Sequence, residues 1–83
     1  MRHPILTTFG LRIRELRTAK NISQEDLALR SGMDRSYVGG VERGERNISL
    51  VNIGKLADAL EEDLALVFAG LQARAAKSKD KVK

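Results

Sequence analysis

Apolar residues recur at intervals of three and four along most of the chain, which is the spacing of a helix with one buried face. Near the N-terminus, either Thr7 or Thr8 is placed to cap such a helix. Asn21 stands where a left-handed residue commonly ends one. The pattern therefore predicts a first amphipathic helix that starts just after the threonines. Its inner stripe consists of Phe9, Ile13 and Leu16.

Two short helical segments follow, separated by a glycine. Ser23 is a favourable cap for the second helix, and Asp26 stands three residues on, where a capping box places an acid. Gly32 ends this helix, and Asp34 can accept hydrogen bonds from the free backbone amides of the third. Gly44 is a suitable position for the third helix to stop. The inward-facing residues of the pair are Leu27, Ala28, Val38 and Val41.

Two more helices are predicted before the chain becomes strongly charged. Ser49 caps a fourth helix over residues 50–60, and Asp63 caps a fifth over about 64–75. The fourth has a regular apolar stripe, which is typical of a helix packed on one side. That stripe consists of Leu50, Ile53, Leu56, Ala57 and Leu60.

Length and composition favour one small all-α domain. The 83 residues include a single proline near the N-terminus and few aromatic residues, which argues against a sheet. We expect residues 1–76 to form a compact five-helix domain and the basic segment 77–83 to be a disordered tail. The core of so small a domain is marginal by itself, which favours a partner chain.

The residue types exclude several function classes. There is no cysteine, and the one histidine is His3, so neither a disulfide, a thiolate metal site nor a metal cluster is predicted. There is no cysteine nucleophile, no usable histidine and no phosphate-binding glycine loop, so we predict no enzyme and no cofactor. The N-terminus has no signal-peptide pattern, and no apolar run approaches the roughly 18 residues of a membrane span. We therefore expect a cytoplasmic protein without a membrane partner.

The net charge of +4 is unevenly distributed. Residues 1–47 carry nine Lys or Arg against six Asp or Glu, whereas residues 48–76 carry two against four. The tail contributes four lysines and one aspartate, so the high isoelectric point is weak evidence by itself. The asymmetry suggests that the N-terminal half faces phosphate and the other half faces protein.

The spacing within residues 23–47 is the most informative feature of the chain. Counted from Gln24, a small residue follows four places on, at Ala28, and glycine eight places on, at Gly32. Val38 and Val41 then occupy the inner positions of the next helix. These residues resemble the lambda-repressor/Cro (XRE-like) helix-turn-helix family, and the run from residue 34 to residue 47 is most similar to restriction–modification controller proteins. The resemblance implies a lambda-repressor-like fold with its helix-turn-helix formed by helices two and three.

In this family the N-terminal end of the third helix reads bases, which here means Arg35, Ser36 and Tyr37. Arginine can bond guanine O6 and N7, serine can donate or accept, and tyrosine can pack on a thymine methyl. Gly39 and Gly40 are unusual in a helix interior, because each costs about 1 kcal/mol relative to alanine. One interpretation is close approach of the backbone to DNA, and the other is a weakly formed last turn.

The predicted phosphate contacts lie at the rim of the same surface. Gln24 matches the family's phosphate-clamping glutamine, and its position at a helix N-terminus suits an anion. The remaining candidates follow the reading helix; they are Arg43, Arg46 and Asn47. The resemblance also implies that Glu42 pairs with Arg17, which would brace the third helix against the first.

The fifth helix is apolar at nearly every position, more than one core-facing stripe requires. We expect a homodimer whose seam, or the core beneath it, includes Leu64, Val67, Phe68 and Leu71. Full burial within one chain is the alternative. Two-fold symmetry would place two reading helices about 34 Å apart on a palindromic operator.

The leading hypothesis is therefore a dimeric transcriptional regulator of double-stranded DNA, associated with the nucleoid. The resemblance implies a controller of a restriction–modification operon that activates or represses, with RNA polymerase as a further candidate partner. An antitoxin or a phage-type repressor remains open, as does a protein–protein interaction module with a degenerate helix-turn-helix.

Overall fold

The computed structural model describes residues 3–71, in which five helices and no strands are found. The helices are α1 (Pro4–Ala19), α2 (Gln24–Ser31), α3 (Arg35–Glu42), α4 (Leu50–Leu60) and α5 (Leu64–Val67). The predicted all-α, five-helix architecture is confirmed. The predicted tail at 77–83 and the end of the predicted fifth helix lie outside the described residues.

The first helix begins earlier than predicted. It starts at Pro4, and the Nδ1 atom of His3 accepts a hydrogen bond from the amide of Ile5 at 3.1 Å. Proline is favourable in a first turn because its missing amide hydrogen would have no partner there. The expectation that Thr7 or Thr8 caps this helix is therefore wrong.

Several other predicted helix ends are confirmed, including Asn21 and Gly44, which follow α1 and α3 with φ of 58° and 75°. The hydroxyls of Ser23 and Ser49 accept hydrogen bonds from the amides of Asp26 and Asn52, which caps α2 and α4. Gly32 ends α2 with a φ of 72°, a conformation that a Cβ disfavours.

The predicted capping hydrogen bonds of the two aspartates are not formed. Asp34 and Asp63 do precede α3 and α5, but their side chains make no capping hydrogen bond. Both residues have extended backbone and leave the carboxylate in solvent, so the helices begin there without that contact.

One apolar core joins all five helices. α2 and α3 pack on each other, α1 packs on α3, α4 packs on α2, and α5 contacts α1 and α4. The largest fully buried side chains are Ile13, Leu27, Leu56, Leu60, Val38, Val41 and Val67. This arrangement holds α3 from one side only and leaves its other side at the surface.

The C-terminal part differs from the prediction. Within the described residues α5 ends at Val67, and Gly70 has a φ of 76°, so the predicted continuous helix over 64–75 is wrong there. Leu50, predicted in the buried stripe of α4, is 70% exposed because it lies in the first turn, beyond the edge of the core.

Among residues 3–71, no helix combines the length and the apolar character that a membrane span requires.

Candidate DNA interface

The third helix is held by its buried inner residues and is exposed at its N-terminal end. Val38 and Val41 are 0% and 2% exposed, whereas Arg35 and Ser36, at the first two positions of α3, are exposed. Within residues 3–71 no carboxylate forms an ion pair with Arg35. An unpaired guanidinium on a rigid, protruding helix end is suited to bind an acceptor outside the domain.

Behind α3, Glu42 is held by Arg17 in a two-pronged ion pair. The Nε and Nη2 atoms of Arg17 donate to Oε2 and Oε1 of Glu42 at 2.7 and 3.0 Å. The third nitrogen of Arg17 donates to the carbonyl of Ile22 at 2.9 Å. Both side chains are largely buried, at 13% and 3% exposed. This is the contact that the resemblance implied, and it ties α3 to α1.

The hydrogen bonds and charge of Glu42 raise the pKa of the Arg17 guanidinium above its usual range, against the opposing effect of burial. A basic group whose pKa is higher in the folded than in the unfolded protein stabilises the fold at any pH below its unfolded-state pKa. That stabilisation is lost only as the pH rises through the folded-state pKa. Because the pKa of Arg17 is strongly alkaline in both the folded and the unfolded protein, its guanidinium stays charged at neutral pH and this stabilisation is fully present there.

Gln24 is also joined to this pair. Its Nε2 atom donates to Oε1 of Glu42 at 2.9 Å. A carboxamide nitrogen carries two hydrogens, so the second one is left to donate elsewhere. Gln24 can therefore bind a phosphate while it remains fixed by Glu42.

The start of α2 is less suited to an anion than the sequence suggested. Glu25 and Asp26 occupy its first turn and both are exposed. Their charges offset the positive end of the helix dipole. Attraction to phosphate at this surface must come mainly from arginine side chains.

Tyr37 is half-buried between two elements. Its hydroxyl accepts a hydrogen bond from Nδ2 of Asn52 in α4 at 3.1 Å. The guanidinium carbon of Arg46 lies 5.5 Å from the centre of the Tyr37 ring, which is cation–π range. Asn52 could not be identified from the sequence, because its contact with Tyr37 depends on where α4 packs.

Of the two interpretations of Gly39 and Gly40, the weakly formed last turn is wrong, whereas close approach of the backbone to DNA stays a prediction. Both lie within α3, which continues to Glu42, so no weakened last turn is present. Both are buried even before DNA is considered, because the side chains of Arg43 and Arg46 lie over them.

The remaining predicted contacts lie just past α3. Arg43, Arg46 and Asn47 are all exposed. Arg43 forms a two-pronged pair with the carboxylate of Glu45, at 3.0 and 3.1 Å, which raises the pKa of the Arg43 guanidinium. The structure thus places all nine predicted DNA contacts on or beside α3 and the start of α2.

The predicted dimer residues fall into two groups. Val67 and Leu71 are 0% and 4% exposed and belong to the domain's own core, which is the second of the two places predicted for them. Leu64 and Phe68 are 43% and 41% exposed. The ring of Phe68 packs at 5.9 Å on that of Phe9 and borders an apolar groove next to α4. Only the second group is available to a partner.

The fold and the exposed α3 define the class as a helix-turn-helix protein, and comparison with known proteins agrees. The helix-turn-helix family profile matches residues 13–67. Control protein C.BamHI of Bacillus amyloliquefaciens is 44% identical over 61 residues, which cover 72% of this chain and 75% of that protein. Control protein C.MunI of a Mycoplasma species is 37% identical over 77% of this chain and 88% of its own length.

Solved structures give the same answer. The restriction–modification controller protein C.AhdI of Aeromonas hydrophila is 67% identical, with a TM-score of 0.75 over 76% of this chain and 96% of that one. The C.Esp1396I tetramer, solved in complex with its natural 35-base-pair operator, is 30% identical with a TM-score of 0.78 over 87% and 95%. The chain belongs to the restriction–modification controller proteins of the helix-turn-helix family, and it is a transcriptional regulator.

Proposed function

We propose that the protein binds a palindromic operator as a homodimer, with α3 of each protomer in the major groove. In this arrangement Arg35, Ser36 and Tyr37 contact base edges. The residues that contact the phosphate backbone are Gln24, Arg43, Arg46 and Asn47. The protein has no reaction of its own to catalyse in this role.

The observation that carries the proposal is the contrast between the two sides of α3. Its inner side is fixed by buried valines and by the Arg17–Glu42 pair, while Arg35 and Ser36 stand exposed at its N-terminal end. A recognition helix has to be rigid and accessible at that end, because its first residues meet the base edges.

The dimer is supported by exposed apolar residues in the C-terminal part of the domain. Leu50, Val51, Leu64 and Phe68 are all at least 41% exposed, and they lie on α4, on α5 and at its end. Covering such residues with a second copy removes apolar area from water. The two copies then hold two half-sites together, which raises affinity through effective concentration.

We further propose that the operator lies in the control region of a restriction–modification operon. Identities of 44% to C.BamHI over 72% of this chain and 67% to C.AhdI over 76% of it support this. Occupancy of the operator would then set activation or repression, through contact with RNA polymerase or through its exclusion. We expect such a protein to be associated with the nucleoid in the cytoplasm.

Fluorescence anisotropy with a random-sequence duplex over a salt series tests DNA binding directly. Phosphate contacts predict an affinity that falls steeply with salt. Arg46→Ala should reduce the slope by about one for each protomer. Arg30→Ala is the control, because Arg30 is exposed on α2 and faces Asp26 at 3.9 Å.

An unchanged slope in Arg46→Ala would contradict the assigned phosphate contact. Absence of any binding at low salt would contradict the proposal as a whole and favour a protein–protein interaction module.

A further inference from the structure

Gly39 and Gly40 are buried although they lie on the outward face of α3. Ser36, Gly39, Gly40 and Arg43 follow the spacing i, i+3, i+4 and i+7, so they share one side of the helix. The inner side is occupied by Val38 and Val41. Residues on the outward side are expected to be exposed unless something covers them.

Two arginine side chains provide the cover. A Cβ added to Gly39 would meet Nη1 of Arg43 at 3.1 Å, and one added to Gly40 would meet Cγ of Arg46 at 3.1 Å and its Nε at 3.3 Å. Arg46 lies beyond the end of α3, so its side chain folds back along the helix to reach Gly40. A Cβ on either glycine would force the arginine atoms over it to move by a few tenths of an ångström.

Arg46 is held in this position on a second side. Its guanidinium lies over the ring of Tyr37, and the Tyr37 hydroxyl is fixed by Asn52 of α4. The aliphatic part of the Arg46 side chain lies over Gly40, and its guanidinium lies over Tyr37. These two contacts hold Arg46 on the face of α3 that carries Ser36.

We infer that Gly39 and Gly40 are positioning residues, which let Arg43 and Arg46 lie across the outer face of α3 in the free protein. The inference rests on the proposed DNA-binding function. Arginine loses considerable rotamer freedom when a ligand fixes it. An arginine side chain that is already held in place in the free protein loses less of this freedom on binding. The low helix propensity of two adjacent glycines is then the cost of arranging two cations.

Replacement by alanine separates this role from a purely structural one. Alanine favours a helix, so Gly40→Ala should not lower the thermal midpoint, while it displaces the stem of Arg46 and weakens operator binding by about fivefold or more. Gly39→Ala should have a smaller effect, because its Cβ meets the flexible end of Arg43 at 3.1 Å and makes only an ordinary van der Waals contact with Oε1 of Gln24 at 3.5 Å. Gly54→Ala in α4 is the matched control, since a Cβ there meets nothing within 4 Å.

The experiment is a double-mutant cycle with Arg46→Ala, measured by anisotropy on the selected operator at low salt, with thermal midpoints and oligomeric state recorded for every variant. If Gly40 acts through Arg46, Gly40→Ala causes no further loss in the Arg46→Ala background. Gly54→Ala should raise the midpoint by roughly 4 °C or more and leave affinity unchanged.

Three results would overturn the inference. Gly40→Ala could bind as tightly as the wild type, or it could lose affinity equally in both backgrounds, which would indicate direct approach of the backbone to DNA. Gly40→Ala could also lose affinity only in proportion to a fallen midpoint. Failure of the proposed function is distinguishable from all three, because the wild type itself would then not bind duplex.

Discussion

Arg17 and Glu42 are joined by two hydrogen bonds, of 2.7 and 3.0 Å, across the boundary between α1 and α3. Glu42 is the last residue of the recognition helix, and its side chain is almost fully buried. Gln24 donates to the same carboxylate from the start of α2. One acid therefore fixes the relative positions of three helices.

We predict that Glu42→Ala lowers both stability and DNA affinity. Removing one member of a buried pair leaves the other charge uncompensated, at a cost of about 3–5 kcal/mol when burial is complete. Because Arg17 keeps its bond to the Ile22 carbonyl and some exposure, we expect about 2–4 kcal/mol and a fall of 10 °C or more in the thermal midpoint.

Arg30→Ala is the control for that measurement, since its exposed pair with Asp26 should contribute less than about 1 kcal/mol. A Glu42→Ala protein that melts at the wild-type temperature would show that the pair does not brace α3.

Gly10→Ala should be strongly destabilising. A Cβ at Gly10 would strike the carbonyl oxygens of Val41 and Glu42, and backbone cannot yield as a flexible side chain can. Forcing α1 away from α3 should cost at least about 2 kcal/mol, despite the better helix propensity of alanine. Chemical denaturation measures this directly, and Gly54→Ala should change stability in the opposite direction. Equal behaviour of the two variants would contradict the close packing.

Leu64→Glu should dissociate the dimer. Leu64 is 43% exposed at the start of α5, where an acid suits the helix dipole and the monomer should stay folded. Leu29→Glu is the control, because Leu29 is 80% exposed on α2, away from the proposed seam. Sedimentation velocity should show a dimeric wild type, a dimeric Leu29→Glu protein and a monomeric Leu64→Glu protein. A monomeric wild type, or a Leu64→Glu protein that remains dimeric, would rule out this seam.

Most of the fold could be predicted because its signals are local. Ser23 and Ser49 cap their helices and Gly32 ends one, and each acts through its immediate neighbours. The early start of α1 was missed because a histidine cap at His3 is rarer than a threonine cap. The short α5 was missed because apolar periodicity does not register the left-handed turn at Gly70.

The candidate site was predictable in part. The spacing from Gln24 to Val41 identified the exposed helix, and the resemblance named Arg17 and Glu42 as partners. The contact of Asn52 with Tyr37 and the cover over the two glycines could not be predicted, since both depend on how separate elements meet in three dimensions.

Selection of binding sites from a random duplex library, with the wild type and Arg35→Ala in parallel, tests the central claim most directly. Arg35 is exposed and unpaired within residues 3–71, so its removal should leave the midpoint unchanged. We predict that the wild type selects a palindrome and that Arg35→Ala relaxes one base position in each half-site, by about 1–3 kcal/mol. A wild type that enriches no sequence, or an Arg35→Ala protein that selects the same palindrome with undiminished discrimination, would contradict the assignment of α3 as the reading helix.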